Sequence, residues 1–329
     1  MDFFLAGDLG GTKTVFALYA AGSAMGEPLC RRRYASGDHE NFSAMLAEFL
    51  QACPESPSLA VLGVAGPVAE GTARITNLGW FVDQAALRKE FGFTKVILLN
   101  DLVAVASAVP VLAPDDFFIV NAGRSAPRGS VAVIAPGTGL GEACLHWCGA
   151  DYRAFPSEGG HCDFAPVTEE EQALLDFLRP GPGHVSYETV CSGLGIPVIH
   201  RFITEAGRVA VEPALRAELA EAADPTPVIL RHALEHGCPA ARRAVELFLA
   251  ILAAEAGNAA LKFLATGGVV LGGGLLPRLL PLFSPERFMA RFAAKGRMAE
   301  LLAAVPVKII LREDAALLGA ALTADSGEY

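Results

Sequence analysis

The sequence predicts an α/β protein of two domains, on three observations. Its 329 residues suit about two domains of common size. Short apolar runs alternate with helical patterns along the chain, as buried strands joined by helices do. Two glycine-rich hairpins, one near the start and one near the middle, look like a weak internal repeat.

The first hairpin is Leu5-Ala6-Gly7-Asp8-Leu9-Gly10-Gly11-Thr12-Lys13-Thr14, set between the apolar stretches 3–6 and 15–19. Gly10 and Gly11 let the backbone turn tightly and bring N–H groups against an anion. Thr12 and Lys13 add a hydroxyl and a cation, and Asp8 can hold a hydrated Mg²⁺. Apolar residues recur at period two after the turn, so strand, turn and strand are expected; a P-loop would lead into a helix. The motif alone fits an ordinary glycine hairpin as well as a phosphate grip.

Further along, 59–65 and 95–99 read as buried strands, and 83–91 and 102–109 as helices. Pro110 and Pro114 then mark a boundary or hinge. The second hairpin runs through Ala135-Pro136-Gly137-Thr138-Gly139-Leu140-Gly141. It is not a dinucleotide fingerprint, because 143–147 has no helical period and no acid follows at the ribose distance. Thr168 and Glu171 form a capping box for a helix over Glu169–Leu178, stopped by Arg179-Pro180-Gly181-Pro182-Gly183. A longer helix over 240–263 carries Val245, Phe248, Leu252, Ala256 and Ala259 on one face. The run from Gly267 to Leu279, with Gly272, Gly273 and Gly274, is a strand entering a glycine turn and then a helix. It suits close approach of a flat ligand or a tightly packed junction.

Composition excludes several function classes. A net charge of −10, with Arg31, Arg32 and Arg33 as the one basic cluster, argues against nucleic acid as a partner. No unbroken apolar run approaches the ~20 residues of a membrane span, and no basic segment opens a secretory signal. Seven cysteines with no CxxC pair read as reduced thiols of a cytoplasmic protein, with no disulfide frame and no structural zinc site.

Two motifs carry the chemistry. Asn100-Asp101 places an amide and a carboxylate at the carboxyl end of a buried strand, the edge where open α/β sheets bind ligands. Taken in isolation, Asp101 reads as a cap for the helix beginning at Leu102. Glu158-Gly159-Gly160-His161 places an acid and an imidazole around two glycines in an otherwise apolar stretch. A lone histidine of this kind is usually structural.

In their order the motifs resemble the bacterial glucokinase family, within the hexokinase, actin and chaperone-ATPase fold group. The resemblance runs over essentially the whole chain. It rests on Gly7-Asp8-Leu9-Gly10-Gly11-Thr12, Ala65-Gly66-Pro67-Val68, Ile75-Thr76-Asn77, Asn100-Asp101, Gly137-Thr138-Gly139-Leu140-Gly141, Glu158-Gly159-Gly160-His161, Ser192-Gly193, Gly272-Gly273-Gly274 and Leu317-Leu318-Gly319.

It implies two RNase H-like domains flanking a cleft, residues 1–111 with 305–329 and residues 112–304, with a strand at 307–311 and a helix at 315–323 returning to the first. It implies ATP-dependent phosphorylation of glucose in a cytoplasmic homodimer. Asp101 is then the general base for the 6-hydroxyl, and Asn100, Thr138, Gly139, Glu158, His161 and Glu188 contact the sugar. Asp8, Gly10, Gly11, Thr12, Lys13, Gly137 and Thr138 hold the phosphates, Asp8 meeting Mg²⁺ through water, and Gly272 to Gly274 lie near adenosine. Kinases of other hexoses, such as mannose or an amino sugar, and an inactive sugar-binding regulator share the resemblance. Gly11-Thr12-Lys13-Thr14 looks more like the ROK sugar kinases, but their cysteine-rich zinc motif is missing after His161.

Overall fold

The computed structural model describes residues 2–75, 78–181, 183–206 and 209–327. Thr76 and Asn77 of the third motif, and Pro182 of the expected helix stop, lie outside them. The chain divides into two compact units. Met1–Pro114, Trp147–Pro156 and Asp314–Tyr329 make the first, and Asp115–His146 with Ser157–Glu313 makes the second.

The first unit carries eight strands in its opening segment: β1 (Phe3–Leu9), β2 (Lys13–Ala20), β3 (Cys30–Ala35), β4 (Leu59–Val64), β5 (Val68–Ala69), β6 (Thr72–Ile75), β7 (Trp80–Asp83) and β8 (Lys95–Asn100). The main sheet is ordered β3-β2-β1-β4-β8, and β5, β6 and β7 form a small antiparallel sheet. β1 pairs antiparallel with β2 and parallel with β4, which pairs parallel with β8.

Side chains of β1 alternate between two cores. Leu5 and Leu9 join Phe42, Met45, Leu46 and Phe49 of helix α1 (Phe42–Gln51), which starts at the N-cap Asn41. Phe4 and Ala6 join Leu317, Ala320 and Ala321 on the other face. Burial on both faces is why this strand reads as a continuous apolar run. Helix α2 (Gln84–Phe91) is capped by Asp83 and ends at Gly92, with φ of 74°. Helix α3 (Asp101–Ala108) follows β8 directly.

The second unit adds β9 (Phe117–Asn121), β10 (Val131–Pro136), β11 (Leu140–Trp147), β13 (Gly268–Leu271) and β14 (Val307–Ile310), with β12 (Tyr152–Ser157) lying mostly in the segment assigned to the first unit. From β11 the order is β11-β10-β13-β14-β9. As in the first sheet, an antiparallel hairpin is followed by two parallel partners. The strand expected to return to the first domain is therefore placed differently. Residues 307–310 pair parallel with β13 and antiparallel with β9, inside the second sheet.

Helix α4 (Glu169–Leu178) begins with the expected capping box: Thr168 Oγ1 accepts from Glu171 N at 3.2 Å and the Glu171 carboxylate accepts from Thr168 N at 3.2 Å. After it come α5 (Tyr187–Val190), α6 (Gly195–Glu205), α7 (Pro213–Glu221), α8 (Pro225–Leu234) and α9 (Pro239–Lys262). The five residues expected on one face of α9 are buried, and Leu247, Ile251 and Ala254 on its other faces are buried too. Among the described residues α9 alone is long and apolar enough to cross a bilayer, and here that apolarity lies inside the second unit's core. Helices α10 (Leu276–Leu279), α11 (Pro285–Phe292) and α12 (Ala299–Ala303) complete this unit.

Helix α13 (Ala315–Ser326) belongs to the first unit. It lies so close to α3 that a Cβ on Gly319 would stand 1.7 Å from the Ala104 carbonyl oxygen, and only a residue without one fits. With Gly63 of β4, where a Cβ would stand 3.1 Å from the Ala104 Cβ, this contact packs the first turn of α3 between α13 and the sheet.

Candidate active site

Two groups of residues are assembled, one in each unit. In the first, β1 and β2 are joined by the turn 10–12, where Gly10 N–H donates to Lys13 O at 3.0 Å. Ser36, just after β3, holds the turn. Its hydroxyl donates to Gly10 O at 2.8 Å and meets Thr14 Oγ1 at 3.0 Å, and its N–H donates to Thr12 O at 3.0 Å. Sequence reasoning missed Ser36, because a serine 22 residues from its partner leaves no periodic signal.

Parallel register aligns Leu9 with Val64 and Val64 with Asn100. The residues following β1, β4 and β8 therefore emerge at one carboxyl edge of the sheet. The structure brings Asp8, the glycine turn and Asn100-Asp101 together at that edge. Asn100 is the cap of α3. Its Oδ1 accepts from Leu102 N at 3.0 Å and Val103 N at 3.3 Å, while its Nδ2 donates to Gly66 O at 3.1 Å. Asp101 is half-buried in the first turn, with Oδ1 accepting from Leu102 N at 2.9 Å. The capping role read for Asp101 in isolation thus falls to its neighbour.

Burial pushes the Asp8 carboxyl above its ordinary range, and Lys13 beside it pulls the other way. A carboxylate in that position gains from a nearby cation. Among the described residues no three His, Cys, Asp or Glu side chains gather as a protein-only metal site. One carboxylate beside a phosphate-sized turn suits Mg²⁺, which keeps most of its water and binds through few protein ligands.

In the second unit the turn 137–139 joins β10 to β11, and Gly272 to Gly274 follow β13. Gly272 N–H donates to Ile134 O at 2.8 Å, so both glycine motifs sit at the carboxyl ends of neighbouring parallel strands. Gly273 has φ of 85°, a backbone conformation that favours glycine. The hairpin tip is gripped by the 188–195 segment. Glu188 Oε2 accepts from Leu140 N at 2.9 Å, and Gly193 N–H donates to Gly137 O at 2.7 Å. A Cβ on Gly139 would meet that same Glu188 oxygen at 2.3 Å.

Glu158 and His161 flank a short helical turn, Gly159–His161, with His161 N–H donating to Glu158 O at 3.0 Å. Their side chains are 68% and 61% exposed, with Glu158 Oε2 and His161 Nε2 4.0 Å apart. Gly160 packs on the second hairpin, where a Cβ would stand 2.1 Å from Leu140 O. The structure therefore brings Gly137, Thr138, Gly139, Glu158, His161, Glu188 and Gly272 to Gly274 into one region of the second unit.

Each unit carries a short glycine turn; the first adds a carboxylate at a helix start, and the second adds an exposed acid and imidazole, side chains of the kinds that phosphoryl transfer to an alcohol uses. The crystal structure of a glucokinase from an Antarctic psychrotroph matches the chain with a TM-score of 0.82 at 32% identity, covering 98% of each. The fold is thus the two-domain RNase H-like arrangement of hexokinase- and actin-type phosphotransferases. The chain is 38% identical over 339 residues to the glucokinase of Nostoc sp. (strain PCC 7120), covering 98% of this chain and 99% of that one. It is 36% identical to the glucokinase of Synechocystis sp. (strain PCC 6803), covering 98% and 97%. A family model for glucokinase matches residues 5–327, and the chain belongs to the glucokinase family.

Proposed function

We propose that the protein transfers the γ-phosphoryl group of ATP to the 6-hydroxyl of glucose. The observation that carries this reading is the shared sheet edge that holds Asp8, the 10–12 turn and Asp101, in a chain of the glucokinase family. Asp101 takes the proton from the 6-hydroxyl as that oxygen attacks. Its place at the first turn of α3, held by Gly319 and Gly63 against Ala104, supports this role, since a general base works only within hydrogen-bond reach of its proton.

Backbone N–H groups of Gly11 and Thr12, with Lys13, receive phosphate in the first unit, and Gly10, whose N–H closes the turn on Lys13 O, shapes that cradle. Thr138 receives phosphate in the second, where Gly137 closes its turn on Gly139 O and shapes the phosphate site, with Gly272 to Gly274 taking the adenosine. Asp8 would hold Mg²⁺ through water, and when bound the ion supplies charge neutralisation at the phosphates. Glu158, His161, Glu188, Thr138, Gly139 and Asn100 contact the sugar. The exposed polar ends of Glu158 and His161 support them as hydroxyl partners. Glu188 and Asn100 already bond backbone groups, so they also shape the pocket.

The two compact units would act as the small and large domains of this enzyme. All seven cysteines are free thiols, which supports a cytoplasmic location. The expected assembly is a homodimer, readable from sedimentation velocity. A coupled assay of ADP release over glucose, mannose and amino sugars tests the activity. Strongest turnover on glucose supports the reading, preference for another hexose reassigns the substrate, and no turnover with intact sugar binding replaces the enzyme with a regulator.

A further inference from the structure

Glu142 has no part in the chemistry above, yet it is the most unusual side chain near the proposed sugar site. It lies on β11 and is 2% exposed. Neither carboxyl oxygen accepts a hydrogen bond from the described residues, and a neighbouring polar side chain is another acid, Glu255. Its carboxyl fills the space that a side chain on residue 159 would need: a Cβ built on Gly159 would stand 2.0 Å from Glu142 Oε2 and 2.7 Å from its Cδ. The acid therefore seats directly behind the turn that separates Glu158 from His161.

Its surroundings are charged but arranged around another acid. Glu255 of α9, 0% exposed, accepts from Lys262 Nζ at 2.8 Å and from Asn258 Nδ2 at 2.8 Å. Asn258 in turn donates to Tyr187 OH at 2.9 Å and accepts from Lys295 Nζ at 2.5 Å. Lys262 feels both Glu142 and Cys162, and the buried Cys191 feels both glutamates. The available cation is thus paired with Glu255, and Glu142 is left as a buried acid beside a buried carboxylate. Burial first, and then the charge of Glu255, push the Glu142 carboxyl up to about 7; Lys262 opposes them, and a hydrogen bond from the protonated carboxyl to Glu255 adds to the rise.

We propose that Glu142 is a positioning residue for sugar binding, whose buried carboxyl packs against Gly159 and holds the 158–161 turn in its binding geometry. When the carboxyl ionises, it faces Glu255 with no donor of its own, and a buried unpaired charge is relieved by movement of the nearest segment that can give. That segment is the glycine pair at 159 and 160. The consequence is a glucose affinity that weakens as pH rises through about 7. This inference rests on Glu158 and His161 being sugar partners.

The test measures KM for glucose, KM for ATP and kcat from pH 6 to pH 8.5 in the full-length wild type, Glu142→Gln and Glu255→Gln. Glu142→Gln keeps the shape and removes the charge. His161 is present in all three proteins, so differences between the profiles report the buried acids. The wild-type glucose KM should rise roughly tenfold across the range, as the loss of one well-placed hydrogen bond would produce, while the ATP KM stays level. Glu142→Gln should show a flat glucose KM at the low-pH value. Glu255→Gln should move the midpoint of the rise to lower pH. A Glu142→Gln profile parallel to the wild type, or an unmoved midpoint in Glu255→Gln, overturns the proposal. Glu158→Ala and His161→Ala separate the two readings. If they leave the glucose KM unchanged, the sugar assignment fails and takes the proposal with it; if they raise it while the Glu142→Gln profile stays parallel, the proposal alone fails.

Discussion

The two units share a sheet pattern but set different side chains around it. Each sets an antiparallel hairpin beside two parallel strands and closes it with a short glycine turn. In the first unit the turn carries charge, with Asp8 before it and Lys13 after it, and is tied by the neutral hydroxyl of Ser36. In the second the turn 137–139 carries none and is tied by a carboxylate, that of Glu188. One backbone hairpin thus recurs with different charge and different tethers, and those side chains set what can stand beside it. Proton and metal chemistry are expected from the first unit, hydroxyl recognition from the second.

The comparison breaks most clearly at Asp101. Asp101→Ala should lower kcat by ~10²-fold or more while glucose still binds, because a general base contributes ~10²- to ~10⁴-fold. Near-normal turnover would remove proton transfer from the first unit. Next in size, Glu158→Ala or His161→Ala should raise the glucose KM by roughly tenfold and leave the ATP KM in place, each losing a partner worth about 1–3 kcal/mol. A matching rise for ATP would show that these two side chains are not dedicated to the sugar.

Smaller still, Asp8→Asn should raise the Mg²⁺ concentration for half-maximal activity several-fold, since one water-mediated carboxylate is a modest part of the ion's coordination. An unchanged Mg²⁺ titration would move the ion's protein ligand elsewhere. The smallest effect sharpens the comparison of tethers. Ser36→Ala should cost about 1 kcal/mol of stability, the usual worth of a hydroxyl hydrogen bond, read as a shift in the urea midpoint. A much larger loss would show that the first turn depends on this tether for its fold.

Local patterns made much of this legible in advance. The Thr168 and Glu171 capping box, the apolar rows of α9 and both glycine hairpins are written within a few residues of themselves, and the structure has them where the sequence puts them. What the sequence hid depends on distant partners. Asn100 outcompetes Asp101 for the cap because its amide reaches both the helix N–H groups and Gly66 O, a carbonyl on another segment. The strand at 307–310 looks like any short apolar run, and its sheet is decided by β9 and β13. Glu142 reads as one acid in an apolar stretch. Only the fold shows that Gly159 and Glu255 press on it.

Helix α13 has a consequence for how the chain is made. Its Leu317, Ala320 and Ala321 cover one face of the sheet that starts with β1, and Asp325 Oδ1 accepts from Gly22 N, 303 residues earlier. During synthesis that face of the first unit stays bare until the whole of the second has left the ribosome. The nascent protein therefore carries an open apolar surface of Phe4, Ala6, Val15 and Ala17 for most of its production. Such long-range closure is slow and exposes the chain to aggregation. Supplying α13 in trans, or moving it by circular permutation to precede β1, should speed recovery of the folded protein more than any change within the second unit.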